Sequence, residues 1–193
     1  MAKILPYIQS ISEYFYRKAS NKNILISALV YLILGILIMP RIIPLIEGSS
    51  GLKILDIRFG YSLKQVADLF DGIGALGRKN YMLFTATADM AYPLVYGLFL
   101  CLFISYLFQK AFRADYEFRF LNLIPLCIVV SDYIENFSII MLLNQHPNIS
   151  ETLVKIASNA TLVKWGATVF SILVVFIGLF GWSFKSIFLR LKK

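Results

Sequence analysis

The chain has 193 residues, of which 59% are hydrophobic and only 16% charged, and its mean hydropathy is +0.72. Soluble domains are about half apolar and about a quarter charged, so this composition excludes an ordinary soluble fold and indicates an integral membrane protein. The net charge of +8 then reads as basic residues gathered beside a bilayer rather than as a nucleic-acid surface, and no nucleic-acid partner is expected.

The N-terminal segment "ILPYIQSISEYFYRK" (4–18) places Ile4, Ile8, Ile11 and Phe15 on one helical face and ends on basic residues. That pattern predicts an interfacial helix over 4–20, lying on the cytoplasmic leaflet. The first span covers 23–40: "NILISALVYLILGILIM" closed by Pro40-Arg41. Its apolar core exceeds that of a signal peptide and no small-residue cleavage site follows promptly, so it reads as a retained helix.

A connecting loop, 41–80, contains "YSLKQVADLF" (61–70). Ser62 with Gln65 fits a capping box, and Leu63, Val66, Ala67 and Phe70 make an apolar face. A short amphipathic helix is expected, either covering the outer mouth of the spans or anchoring to lipid. "GIGALG" (72–77) matches the dinucleotide fingerprint letter for letter. The fingerprint needs a strand before it and a βαβ unit around it, whereas here a helical pattern precedes and a membrane span follows. No nucleotide is expected. The glycines serve instead to bend the chain from the surface helix into the second span.

The second span, 81–109, is long enough to tilt or protrude; the third covers 120–143 and the fourth 160–184. Orientation follows the basic residues. Lys3, Arg17, Lys18 and Lys22 precede span one, Lys110, Arg113 and Arg119 lie between spans two and three, and Lys185, Arg190, Lys192 and Lys193 end the chain. With four spans these regions share one side. The fold expected is therefore all-α: a single membrane domain over 1–193, an integral membrane four-helix bundle with both termini cytoplasmic and short amphipathic interfacial helices. Cys101 and Cys127 both fall in apolar spans and read as small buried hydrophobes, and His146 reads as a solvated loop residue.

Polar residues interrupt the spans at helical spacing. In span three "SDYIEN" (131–136) places Asp132, Glu135 and Asn136 on one face. Span two carries Thr85, Asp89, Tyr92 and Tyr96, and span four Thr161, Lys164, Thr168 and Ser171, whereas span one offers only Ser27 and Tyr31. At about 1.5 Å per residue, Glu135 lies roughly 12 Å below the outer end of its span, and Asp89 and Lys164 lie at compatible depth. A charged Asp or Lys at a helix centre costs about 3 kcal/mol to insert, so these residues are expected to meet inside the bundle. Simpler readings exist: polar groups can merely hold helices together, Asp89 can cap a helix, and Lys164 can extend outward to the interface.

The stretches "YSLKQVADLFDGIGALGRKNY", "TADMAYPLVYGLFL", "DYIENFSIIMLL" and "ATLVKWGATVFSIL" resemble a group of small four-span membrane proteins. That group carries a Gly-Arg-x-x-Tyr element before span two, an Asp with a nearby Tyr-Pro in span two, Asp-x-x-Glu-Asn in span three and Lys-Trp in span four. The matching residues are Gly77, Arg78, Tyr81, Asp89, Tyr92, Pro93, Asp132, Glu135, Asn136, Lys164 and Trp165. The resemblance covers about 60–180 and implies architecture and the choice of polar residues; the group has no assigned activity.

Three functions fit. The first is a protein that binds or passes a cation, proton or small amphiphile at an outward-facing acidic pocket of Asp89, Tyr92, Tyr96, Asp132, Glu135, Asn136 and Lys164, with Arg78, Tyr81 and Trp165 at its mouth. The second is a divalent-metal-dependent enzyme acting on lipid, with Asp89, Asp132 and Glu135 as oxygen ligands. The third is a structural subunit whose polar seam fixes helix packing. No organic cofactor is expected. The partners expected are the lipid bilayer and either a second copy or another membrane protein.

Overall fold

The computed structural model describes residues 5–113 and 117–191. Lys3, Ile4, Lys192 and Lys193, which entered the charge and face arguments, lie outside the described residues. The fold is all-α. Helices α1 (Leu5–Lys18) and α2 (Asn21–Leu32) are followed by a π-helical turn (Ile33–Ile38) and α3 (Met39–Glu47). A 3₁₀ turn (Leu55–Ile57), α4 (Leu63–Gly72), α5 (Gly74–Ala86) and α6 (Ala88–Ala111) come next. A 3₁₀ segment (Glu117–Leu123) leads into α7 (Ile124–Gln145), and α8 (Glu151–Leu191) ends the chain. Four continuous helical stretches are long and apolar enough to cross a membrane: Asn21–Glu47, Gly74–Ala111, Phe118–Gln145 and Glu151–Leu189.

The first stretch does not end at Pro40, as the sequence pattern suggested. Pro40 falls in the first turn of α3, where a missing N–H has no intrahelical partner to lose. The wide π turn before it absorbs the change of register, and the Arg41 guanidinium bonds the Leu37 carbonyl. The second stretch breaks once, at Thr87 (φ −124°, ψ −85°), so α6 begins with Asp89 in its first turn. The fourth is a single helix of 41 residues. At about 1.5 Å per residue that is about 60 Å, twice a hydrocarbon core. Lys155 is therefore helical and pairs with Glu151 at 2.8 Å rather than sitting in a loop.

α7 packs along both α8 and α6, α6 also meets α8, and α2 leans on α6. Half of the apolar window of the second stretch and 56% of the third are buried, against 11% and 17% for the first and fourth. α6 and α7 are thus the inner helices, and α2 and α8 turn most of their apolar surface outward. α6 and α7 approach closely at Gly97, where an added Cβ would stand 2.3 Å from Val129 Cγ2.

The largest core lies at one end of the helices, where the segment after α3 folds over α5, α7 and α8. It contains Ile46, Ile54, Leu55, Val66, Leu69, Phe70, Tyr81, Phe84, Ile139, Leu142, Val154 and Ala157. Both halves of the Ser62–Gln65 capping box are formed. The buried face of α4 is Val66, Leu69 and Phe70; Leu63 is exposed, because the face drifts toward Leu69 at 3.6 residues per turn. Of the three glycines in "GIGALG", Gly72 ends α4, Gly74 makes the bend at φ +66°, and Gly77 lets α5 approach the Ile46 carbonyl.

Three smaller expectations are corrected. α1 buries Ser12, Phe15 and Tyr16 against the neighbouring helices, and it is Ile8 and Ile11 that face outward. The Ser12 hydroxyl and the Ser105 hydroxyl both meet the Asn122 side chain at 2.8 Å, and the Tyr16 hydroxyl donates to the Arg119 carbonyl at 2.9 Å. Burial pushes the Tyr16 hydroxyl up to about 12, so it remains a donor at neutral pH. Cys127 is exposed, because it lies on the outer face of α7, and only Cys101 is buried. His146 packs against Phe70 and meets the Asp71 carboxylate at 2.8 Å, since the short connection 146–150 folds back on the end of α4.

Replacing Gly97 by Ala forces α6 and α7 apart and is expected to cost about 1–3 kcal/mol, as overpacking does. Gly166→Ala, which meets nothing within 4 Å, serves as the control and should be neutral or slightly stabilising. Thermal unfolding of both variants in detergent checks this, and equal melting temperatures would refute the close contact.

Candidate functional site

The polar stripes of α6, α7 and α8 do meet, immediately beneath the covering segment. Lys164 points inward from α8 and is 8% exposed. Its ammonium has three protons, and three acceptors surround it: Asp132 Oδ1 at 3.2 Å, Glu135 Oε2 in a short ion pair, and the Asp56 carbonyl at 3.1 Å. Asp132 Oδ2 accepts from the Tyr96 hydroxyl at 2.7 Å. Glu135 is fully buried, and its Oε1 is met by the Thr161 hydroxyl and, at 3.4 Å, by the Tyr61 hydroxyl. Burial first, and the Glu135 charge second, push the Tyr61 hydroxyl far above its ordinary range and keep it a neutral donor. This half of the cluster is closed: every carboxylate oxygen has a donor and the cation has no bond left to give.

The other half is open. Asp56, on the 3₁₀ turn of the covering segment, accepts from the Tyr81 hydroxyl at Oδ2 (2.5 Å), while its Oδ1 is buried without a partner. The Asp56 carboxyl lies within side-chain hydrogen-bonding reach of Asp89. Asp89 Oδ2 is likewise buried and unpartnered. Asn136 uses its amide N–H to hold the Asp89 carbonyl at 3.0 Å, leaving its own oxygen buried and bare. The Thr85 hydroxyl, one turn before Asp89, is also unpartnered. The break at Thr87 places Asp89 at a helix start, where the exposed N–H groups favour a carboxylate.

Charge defines the difficulty. Four buried carboxyl groups, Asp56, Asp89, Asp132 and Glu135, face one buried ammonium. Even with Lys164 fully paired, the Asp56–Asp89 side has two acidic groups and no cation. An uncompensated carboxylate in a low-dielectric interior is too costly to persist without a proton or a bound cation.

The remaining anticipated residues have more structural positions. Tyr92 turns toward α2, stacking on Tyr31 at 5.9 Å, with its hydroxyl against Gly35 of the π turn. Tyr81 is fully buried and holds the 3₁₀ turn at two adjacent residues, since besides donating to Asp56 it accepts from the Leu55 N–H at 3.0 Å. Trp165 donates to the Arg58 carbonyl at 2.8 Å and packs on Phe59, which fastens the covering segment to α8. Arg78 lies apart from the cluster and bonds the Phe70 carbonyl at the end of α4 (2.6 Å). Among the described residues, no group of three His, Cys, Asp or Glu side chains is arranged to hold a metal ion.

Sequence reasoning missed Asp56 and Tyr61. The signal was "KILDIRFGY" (53–61), a run too apolar for a solvated loop, with one acid among isoleucines. Glu47 fixes the start of this run: its carboxylate accepts from the Ile54 N–H at 3.1 Å and pairs with Lys53 at 3.0 Å. Comparison with known protein families, with curated proteins and with solved structures gives no match.

Removing the central cation should be more damaging than removing the cluster's charge as a whole. Lys164→Met leaves Asp132 and Glu135 unpaired and is expected to cost about 3–5 kcal/mol. Adding Asp132→Asn and Glu135→Gln to it should recover most of that loss. Detergent-phase unfolding of the single and triple variants decides this, and a triple variant as unstable as the single would contradict the charge account.

Proposed function

We propose that the chain crosses the bilayer four times as a helical bundle, with both termini cytoplasmic, and binds one proton or one small monovalent cation between Asp56 and Asp89. The observation that carries the reading is the pair of buried carboxylate oxygens, Asp56 Oδ1 and Asp89 Oδ2, that no donor satisfies in a cluster with only one ammonium. A water molecule could supply donors to these oxygens but could not supply the missing charge. An ion or proton supplies both, and the additional bare oxygens of Asn136 and Thr85 are hard ligands of the kind alkali cations take.

Lys164 acts in this reading as the permanent partner of Asp132 and Glu135, donating to both and balancing one of their two charges. It reserves that half of the cluster and leaves the Asp56–Asp89 half exchangeable. Because Lys164 also binds the Asp56 carbonyl, the covering segment, the ion pair and the exchangeable pair form one connected unit. Occupation between Asp56 and Asp89 draws the cover down, and vacancy releases it, which links binding to access from the covered face. The resemblance to small four-span proteins includes Asp89, Asp132, Glu135, Asn136 and Lys164 but not Asp56, and it supplies no reaction. A divalent-metal enzyme has less support, since Lys164 stands between Asp132 and Glu135 where such an ion would need to be.

Thermal unfolding of the purified protein, with sodium, potassium or lithium replacing choline at constant ionic strength and at several pH values, tests the site. Lower pH or one of the cations should stabilise the protein, by about 2.7 kcal/mol at 100-fold excess over the dissociation constant. Asp56→Asn and Asp89→Asn should each abolish the response, while Asp68→Asn, exposed and paired only with Lys64, should keep it. A wild-type protein indifferent to both pH and cation, or an Asp89→Asn variant with the full response, refutes the reading.

Orientation is checked separately in a Cys101→Ser, Cys127→Ser background. A cysteine at position 64 should react with an impermeant maleimide on intact cells, and one at position 17 only after permeabilisation. The reverse pattern would invert the topology.

A further inference from the structure

A second feature lies beside α2, on a face of α6 away from the acidic cluster. Because α2 leans on α6 along a narrow line, and α1 crosses beside both, a groove of about 410 Å³ opens between the three. That volume falls in the range of about 300–1,000 Å³ typical of small-molecule sites. Its lining is graded. Ile26, Val30, Val95, Leu98 and Leu102 form an apolar floor, while Tyr14, Lys18, Asn23 and Ser27 supply polar atoms toward one end.

The polar end is also basic. Lys18 lines it, Arg17 precedes Lys18 at the end of α1, and Lys22 stands one residue before the lining Asn23 in the first turn of α2. Ser20 caps that helix by accepting from the Asn23 N–H, and the Asn23 amide holds the Lys18 carbonyl at 2.8 Å, so the two helix ends keep a fixed geometry. Among the described residues, none of these three cations is in a salt bridge; the Lys18 ammonium lies 5.9 Å over the Tyr14 ring. Three cations at the junction of α1 and α2, without a salt bridge among the described residues, attract an anion, and the apolar floor running away from them requires that the anion carry a chain.

We propose that this groove binds one anionic phospholipid, its phosphate at Lys18 and Lys22 and an acyl chain along Ile26, Val30, Val95 and Leu98. Charge complementarity selects the headgroup, and the low burial of the first apolar stretch leaves the groove open to the surrounding lipid. The site shares no residue with the cluster: on α6 Val95 and Leu98 flank the cluster's Tyr96 on a different face of the helix, and the polar end of the groove lies beside the start of α2.

The test uses the full chain, purified in a neutral detergent and examined by native mass spectrometry with phosphatidylglycerol or phosphatidylcholine of identical chains, and with inorganic phosphate alone. Phosphatidylglycerol should be retained about thirty-fold more strongly than phosphatidylcholine, the preference two lysines confer near a membrane surface. Lys18→Gln with Lys22→Gln should remove that preference, and Val95→Trp, which fills the floor, should remove retention of either lipid. Should Val95→Trp not fold, Ile26→Trp on the exposed wall reads the same property. Equal retention of the two lipids, an unchanged preference in the double glutamine variant, or unchanged retention in a folded tryptophan variant overturns the proposal. So does inorganic phosphate that displaces phosphatidylglycerol completely, which would make this a free-anion site.

Discussion

The Lys164 ammonium is the point on which three separate parts of the chain converge. It leaves α8, bonds two carboxylates of α7, and spends its last proton on the backbone of the covering segment at Asp56. Each bond is made in a buried setting, so breaking one leaves a charge unpaired rather than a charge solvated. This explains why a helix with so little of its apolar window buried stays in a fixed rotation: the polar face of α8 has one place where its charge is satisfied. The same bond sets the height of the 3₁₀ turn and, with Tyr81 and Trp165, brings Asp56 to Asp89.

The covering segment contributes to the largest buried core of the molecule, although it joins two apolar helices and would ordinarily be a loop. In hydrocarbon there is no hydrophobic force to drive apolar helices together, and their association rests on close contact and on polar bonds. Gly97 against Val129 is one such contact, and the Lys164 ion pairs are such bonds. In the covering segment Val66, Leu69 and Phe70 of α4 bury fully, and removal of apolar surface from water holds such a cover in place. The molecule thus joins two kinds of cohesion, and the acidic cluster lies at the boundary between them. Its polar groups are enclosed by the cover on one side and by α6, α7 and α8 on the others.

Asp56 and Asp89 occupy a different position from Asp132 and Glu135, although all four are buried acids. Every oxygen of the second pair has a donor, and the pair is as complete as a structural ion pair can be. The first pair has one phenolic donor, from Tyr81, and lacks a positive charge. The asymmetry separates a part of the cluster that holds the fold from a part that can exchange a ligand, and the shared Asp56 backbone couples them.

The sequence by itself determined the four apolar stretches long enough to cross a membrane, the helical faces and the residues Asp89, Asp132, Glu135 and Lys164, because charge within an apolar run is visible at single-residue resolution and helical spacing fixes which charges share a face. It also carried the Ser62–Gln65 cap and the bend at Gly74, both of which depend on neighbours along the chain. The continuation of the first helix through Pro40 was hidden, since a π turn makes room for a proline that local rules would treat as a stop. Tertiary structure alone decided that Asp56 and Tyr61 belong to the cluster, that Arg78 does not, and that Lys164 pairs inward. Those outcomes depend on how a segment of some twenty residues folds over helix ends far away in sequence, and no periodicity within the segment encodes which side chains it will meet there.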